Sequence, residues 1–220
     1  MLIDLTRTIT EDLPRVSLEP FKTTARDGWN TSIYHLYSHC GTHMDAPWHF
    51  DCGETFIDEA PLETCLGTAD IVRLPDTSPR EVLTVAHLGP LAETFTPGNH
   101  LLLNTNWSRQ FGKTLYEKEL PRIGPDLAHW CVENRVKILG VEPPSVADVT
   151  NAEELIRIHR ILLSGGVTIV EGLINLDIIP GDRCFFAALP LKIHRGDGCP
   201  CRAFASTTPL GTTLNPGPER

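Results

Sequence analysis

The two apolar runs Val136-Lys137-Ile138-Leu139-Gly140-Val141 and Val167-Thr168-Ile169-Val170-Glu171, with residues 153–163 between them, decide the fold. Both runs have the length and β-branched content of buried strands. The segment between them sets Leu155, His159 and Leu162 at i, i+4 and i+7, the spacing of a helix with one apolar face. Ser164-Gly165-Gly166 closes it, glycine being suited to the backbone just past a helix C-terminus. Strand, helix, strand in this order predicts a βαβ unit and an α/β class. Working outward, Leu127, Trp130 and Cys131 recur at helical spacing behind Pro125 and predict a helix over residues 126–134. Further strands are expected over 2–6, 32–37, 67–74, 100–105, 184–189 and 202–205. Glu142-Pro143-Pro144-Ser145 reads as a loop. No linker splits the chain, so one domain is expected over residues 1–206. Residues 207–220, rich in Thr, Pro and Gly, read as an extended C-terminal tail on the surface or against a partner.

The chain has 220 residues, 19 Lys and Arg against 28 Asp and Glu, and a net charge of −9. A net anion is a poor partner for nucleic acid or an anionic membrane, so neither is expected. No apolar run is long enough to span a bilayer, and the N-terminus lacks the pattern of a signal peptide. The seven cysteines are odd in number and scattered, which fits reduced thiols in a cytoplasmic protein better than a disulfide framework. Cys199-Pro200-Cys201 is the one tight pair and is weak evidence for a metal or redox site.

The histidines are not scattered. His35, His39, His43 and His49 crowd into one short window, in which the densest stretch is His39-Cys40-Gly41-Thr42-His43-Met44-Asp45-Ala46-Pro47-Trp48-His49-Phe50. Gly41, Thr42 and Pro47 disfavour a helix, so extended chain breaking into a turn is expected. Alternate side chains then share a face, which turns His39, His43 and Asp45 the same way. Two imidazoles and a carboxylate suit Zn²⁺, Mn²⁺ or Fe²⁺. Pro47 interrupts the strand and frees His49 from that ion, leaving it as a proton shuttle. His159, on its helix's apolar stripe, and Glu171, ending a strand of Val, Thr and Ile, form a second pair. They satisfy one another's burial cost or share a cation; with the first cluster present, Asp45 or Glu171 bridging two ions becomes reasonable. G-x-S-x-G, G-x-x-x-x-G-K-[ST] and G-x-G-x-x-G are absent from the sequence, which counts against serine-hydrolase, nucleotide-phosphate and dinucleotide chemistry.

The His39 to Phe50 stretch resembles the H-x-G-T-H-x-D-x-P-x-H-F signature of the metal-dependent cyclase family, which includes bacterial kynurenine formamidases, isatin hydrolases and a dienelactone hydrolase. The likeness extends to Asp4-Leu5-Thr6, Leu139-Gly140-Val141-Glu142, His159-Arg160-Ile161-Leu162-Leu163, Glu171-Gly172-Leu173-Ile174-Asn175-Leu176 and Leu189-Pro190-Leu191-Lys192-Ile193. The resemblance implies a compact α/β domain of the swivelling β/β/α type, with a mixed, barrel-like sheet flanked by helices, assembled as a homodimer or larger with sites near the interface. It implies His39, His43 and Asp45 on one metal, Asp45 bridging to a second, His159 on the second, Glu171 on both, and His49 as the catalytic acid/base. Having both His159 and Glu171 is similar to the dinuclear formamidases rather than to isatin hydrolases. The formamidases carry an aromatic residue before Pro-Gly-Asp in an N-terminal loop; Val16 takes that position here, and Trp29 or Trp48 is the alternative aromatic wall.

The function implied is hydrolysis of an amide, N-formyl or cyclic amide bond of a small organic molecule, with one or two Zn²⁺ ions or with Mn²⁺. A lactone hydrolase, a metal-dependent cyclase or dehydratase, and a non-catalytic metal- or ligand-binding protein are the alternatives.

Overall fold

The fold comes from a computed structural model that describes residues 1–208. In chain order it begins with β1 (Leu2–Asp4), β2 (Ser17–Lys22), α1 (Thr24–Asp27), β3 (Thr31–His35), β4 (His43–Asp45) and β5 (Leu66–Arg73). Next come β6 (Val82–Leu83), α2 (Leu91–Thr94), β7 (His100–Asn104), α3 (Leu115–Lys118), β8 (Arg122–Ile123) and α4 (Pro125–Glu133). The chain continues with β9 (Ile138–Val141), α5 (Ala152–Ser164), β10 (Thr168–Glu171), β11 (Arg183–Pro190) and β12 (Gly198–Ser206). Thr207 is tied back to Met1 through its backbone N–H and its hydroxyl. The rest of the expected tail, residues 209–220, lies outside the described residues.

The main sheet runs β1-β12-β11-β5-β7-β9-β10-β4, and β4 also pairs with β12. Seven strands therefore close on themselves into a mixed barrel, with β1 added at one edge. The predicted βαβ unit is present: β9 and β10 are parallel neighbours joined through α5, whose first turn is capped by the Asn151 side chain. Strand alternation divides the core in two. Leu102, Ile138, Val170, Met44 and Phe186 fill the barrel. Leu101, Leu103, Leu139, Val141 and Ile169 face outward and pack on Leu127 and Cys131 of α4 and on Ile158 and Leu162 of α5. Burial of each such aliphatic side chain contributes about 1.5–3 kcal/mol, which clamps α5 onto the outside of the wall.

The expected strand over 32–37 exists as β3 but stays out of the barrel; it pairs only with β2 and is exposed along its whole length. The sequence reading missed β2, whose Pro20 and exposed residues hide it, and the two-residue strands β6 and β8. None of the described helices is long and apolar enough to cross a membrane. All seven cysteines are unpaired; Cys199 and Cys201 sit in the barrel core, where burial pushes the Cys201 thiol up.

His100, at the start of β7, is fully buried in the space left by the missing side chain of Gly67, and neither ring nitrogen has an aligned hydrogen-bond partner. Burial lowers its pKa to about 4, with the Leu66 backbone opposing and the Lys137 charge reinforcing the shift. Between the unfolded value of 6.5 and about 4, the unfolded chain binds a proton that the folded chain refuses. Stability therefore falls as pH drops through this window. Urea unfolding at pH 7.5 and pH 5 should show the wild type losing about 2 kcal/mol more than His100→Gln on acidification.

Candidate metal centre

Asp45 and His43 lie on the outward face of β4, while Met44 between them points into the barrel. On the antiparallel neighbour β10, Glu171 is paired with His43, which places the two carboxylates on the same side of the wall. The chain turns from β10 at Gly172, at φ 69°, where a Cβ would collide with the Gly41 carbonyl; the Thr42 hydroxyl donates to the Gly172 carbonyl at 2.7 Å. That close approach explains why a small residue and a hydroxyl precede His43. α5 supplies His159 from above.

The donor atoms form two buried nests that share Asp45, one of His39, His43 and Asp45 and one of Asp45, His159 and Glu171; a third, less buried grouping joins His39, His49 and Asp197. His39 Nδ1 is 2.9 Å from Asp45 Oδ1, and His43 Nε2 is 3.7 Å from the same oxygen and 3.1 Å from Glu171 Oε2. His159 Nε2 lies 3.8 Å from Asp45 Oδ2 and 3.5 Å from Glu171 Oε1. Donors at about 2 Å around a tetrahedral ion stand about 3.3 Å apart, so these separations suit shared cations. Two buried atoms of the set, His43 Nε2 and Asp45 Oδ2, have no aligned hydrogen-bond partner in the protein, the 3.1 Å approach of His43 Nε2 to Glu171 Oε2 being a close polar contact without hydrogen-bond alignment; a cation explains this arrangement better than a plain polar core.

Each of the three imidazoles is aimed by its other nitrogen. His43 Nδ1–H donates to the Gly41 carbonyl at 3.2 Å, and His159 Nδ1–H to the Leu155 carbonyl at 2.7 Å. His39 is reversed: its Nε2–H donates to Asp197 Oδ2 at 3.0 Å and its Nδ1 faces Asp45. Such outer partners fix the tautomer of a metal-binding histidine. His49 has no comparable anchor; its Nδ1 is 3.8 Å from Asp197, and its ring stacks on His39 with centroids 3.8 Å apart.

Burial alone would raise the Asp45 carboxyl, but the His39 hydrogen bond and the charges of His39, His43 and His159 hold it well below the usual range. Burial and the Asp45 charge push Glu171 up, yet its bonds to His159 and His43 leave it lowered. Burial opposes charging of His39, while Asp45 and Asp197 raise it to about 9. Protonated imidazoles and divalent cations compete for the same carboxylates, so metal uptake here releases protons.

Residues 3–148 match the model of the family described as "Putative cyclase". The chain belongs to this family. It is 32% identical over 173 residues to a kynurenine formamidase of Geobacillus thermodenitrificans, covering 76% of each chain. Against a kynurenine formamidase of Salinibacter ruber it is 28% identical over 219 residues, covering 94% of this chain and 98% of that one. Among solved structures, isatin hydrolase A from Labrenzia aggregata superposes with a TM-score of 0.84 at 23% identity, over 94% of both chains. A structure described as a potential metal-dependent hydrolase with cyclase activity has a TM-score of 0.75 at 25% identity, over 95% of this chain and 98% of that one.

The structure thus brings together all five residues expected to bind metal, and His49 beside them. One local expectation needs correcting: His39 lies not on an extended run with His43 but in the turn before β4, and it reaches Asp45 from the side. The three expected substrate contacts fall elsewhere. Val16, Trp29 and Trp48 do not line the cavity of about 520 Å³ that opens on His39 and His43. Trp29 is exposed on the β2–β3 hairpin with Lys22 over its ring, and Trp48 packs against Phe56. Leu13, Tyr37, Phe111 and Tyr116 form the wall instead.

Asp197 is the site residue that sequence reading missed. It precedes β12, and Gly198 after it leaves room for the His39 ring, which a Cβ would meet at 2.7 Å. Its carboxylate holds His39 in the tautomer that turns Nδ1 inward, so Asp197→Asn should weaken Zn²⁺ affinity about 10- to 100-fold in chelator competition. His43→Ala should abolish stoichiometric Zn²⁺ binding in the same assay.

Proposed function

We propose that residues 1–206 form a metal-dependent hydrolase that cleaves a carbon–nitrogen bond, in an amide, N-formyl or cyclic amide group, of a small organic substrate. The observation that carries this reading is the contrast between three anchored imidazoles around two buried carboxylates and a fourth, His49, left unanchored and stacked on His39 beside them. The nitrogen and carboxylate donors of His39, His43, Asp45, His159 and Glu171 suit one or two Zn²⁺ ions, with Mn²⁺ as the second choice. A divalent ion bound there would acidify water and polarise the substrate carbonyl.

Burial lowers the pKa of His49, the Asp45 charge opposing and the His39 and His159 charges reinforcing the shift. The ring is therefore neutral near pH 7 and free to take the proton of the attacking water, then return it to the leaving nitrogen. Asp197, 3.8 Å from His49 Nδ1, lies where it stabilises the imidazolium formed in between. The curated relatives that share this chain's length are named kynurenine formamidases, which supports the amide reading. His49→Ala should lower kcat about 10²–10⁴-fold while metal per chain, by elemental analysis, stays at the wild-type value. Loss of metal in that variant would make His49 a ligand and overturn its assignment. Incorporation of ¹⁸O from labelled water into the acid product separates hydrolysis from cyclase or dehydratase chemistry.

We further propose a homodimer in a cytoplasmic, reducing setting, in keeping with seven unpaired thiols. The β2–β3 hairpin carries Phe21, Trp29, Ile33 and Tyr34 in exposed positions, and an isolated two-stranded hairpin has little stability of its own. A second copy covering it accounts for both features and gives Val16 and Trp29 an interface role. Light scattering after size exclusion should give twice the 24.4 kDa chain mass, and Ile33→Asp with Tyr34→Glu should halve it.

A further inference from the structure

Arg7 lines the cavity that opens on His39 and His43. Its backbone N–H donates to the Thr42 hydroxyl at 2.8 Å, which ties it to the residue next to His43. The guanidinium lies over the Phe111 ring, 3.9 Å from its centroid, and is 5.4 Å from that of Tyr116. Nη2 donates to the Ser108 carbonyl at 3.4 Å. These contacts, with a further one to the Tyr116 side chain, hold the group in place and leave part of its five-donor set unused.

What Arg7 lacks is a counter-charge. Arg73, Arg80, Arg109, Arg183 and Arg202 each pair with an aspartate, but among the described residues none lies within ion-pair distance of Arg7. The buried carboxylate of Glu142 is already taken by the Thr105 N–H and the Ser108 hydroxyl, both at 2.7 Å. Arg7 Nε is buried without an aligned hydrogen-bond partner. Asp12 and Glu117 on the cavity rim are exposed, share that rim with Lys113 and Lys118, and form no ion pair with Arg7. Aromatic stacking offsets part of the cost of such a cation, about 0.5–2 kcal/mol, and leaves its fork free for a planar anion.

We infer that Arg7 is a substrate anchor, and that the cavity takes amides carrying a carboxylate or similar oxyanion away from the scissile bond. This rests on the hydrolase reading above, and it adds a charge requirement to it. A lysine would supply the charge without the two parallel hydrogen bonds.

The test uses Zn²⁺-loaded protein and the N-formyl derivatives of 2-, 3- and 4-aminobenzoic acid, each beside its methyl ester. In the wild type, kcat/KM for the best acid should exceed that of its ester at least about 10-fold, mostly through KM. Arg7→Met should bring that ratio toward one, and Arg7→Lys should give an intermediate value. A wild type that prefers esters or shows no preference, or a ratio that survives Arg7→Met, overturns the inference. If the wild type turns over none of these compounds, the hydrolase reading fails separately. The anchor is then read by calorimetry with the three free aminobenzoates, where equal affinity for wild type and Arg7→Lys, or no binding by the wild type, overturns it. The lysine variant and the wild-type preference keep the test decisive should Arg7→Met fail to fold.

Discussion

Asp45 and Glu171 are buried side by side on paired strands, and two carboxylates out of water demand positive charge. Much of the surrounding architecture answers that demand. β4 is only three residues long, yet it is the strand through which the barrel closes, pairing with β10 on one side and β12 on the other. Its central residue, Met44, belongs to the barrel core, and its two flanking residues belong to the charged centre. Closure of the barrel therefore also assembles the centre, and a metal held there would have its affinity coupled to folding.

The parts of this arrangement legible in the sequence are those encoded locally. The βαβ unit has a period-3.6 helix between two apolar runs, and its boundaries shift by only a residue or two. The His39-to-His49 window announces itself by composition. The parts that were not legible depend on contacts distant in the chain. Asp197 reads as a turn residue between glycines until β12 pairs Gly198 with Asp45 and carries it to His39. Arg7 is likewise an ordinary surface cation until the residues around Phe111 fold over it. With Val16 at the position where the formamidases carry an aromatic residue, the sequence points to Trp29 or Trp48 for the aromatic wall. The cavity instead recruits Phe111 and Tyr116, which no spacing in the sequence connects to the histidines.

The four histidines around the centre are chemically identical, and their roles diverge through what holds the second ring nitrogen. Carbonyls of Gly41 and Leu155 and the carboxylate of Asp197 each take an N–H and so direct a lone pair inward at His43, His159 and His39. Pro47 starts a short 3₁₀ turn over Pro47–Phe50, which lifts His49 off the strand and lays its ring against His39, outside the two nests that share Asp45. A ligand must be fixed in one tautomer, whereas a proton carrier must exchange its proton within each cycle. The backbone thus sets up the proposed roles: an extended segment aims His43, a helix aims His159, a turn with a distant aspartate aims His39, and the proline leaves His49 apart from them, as the proposed proton carrier requires.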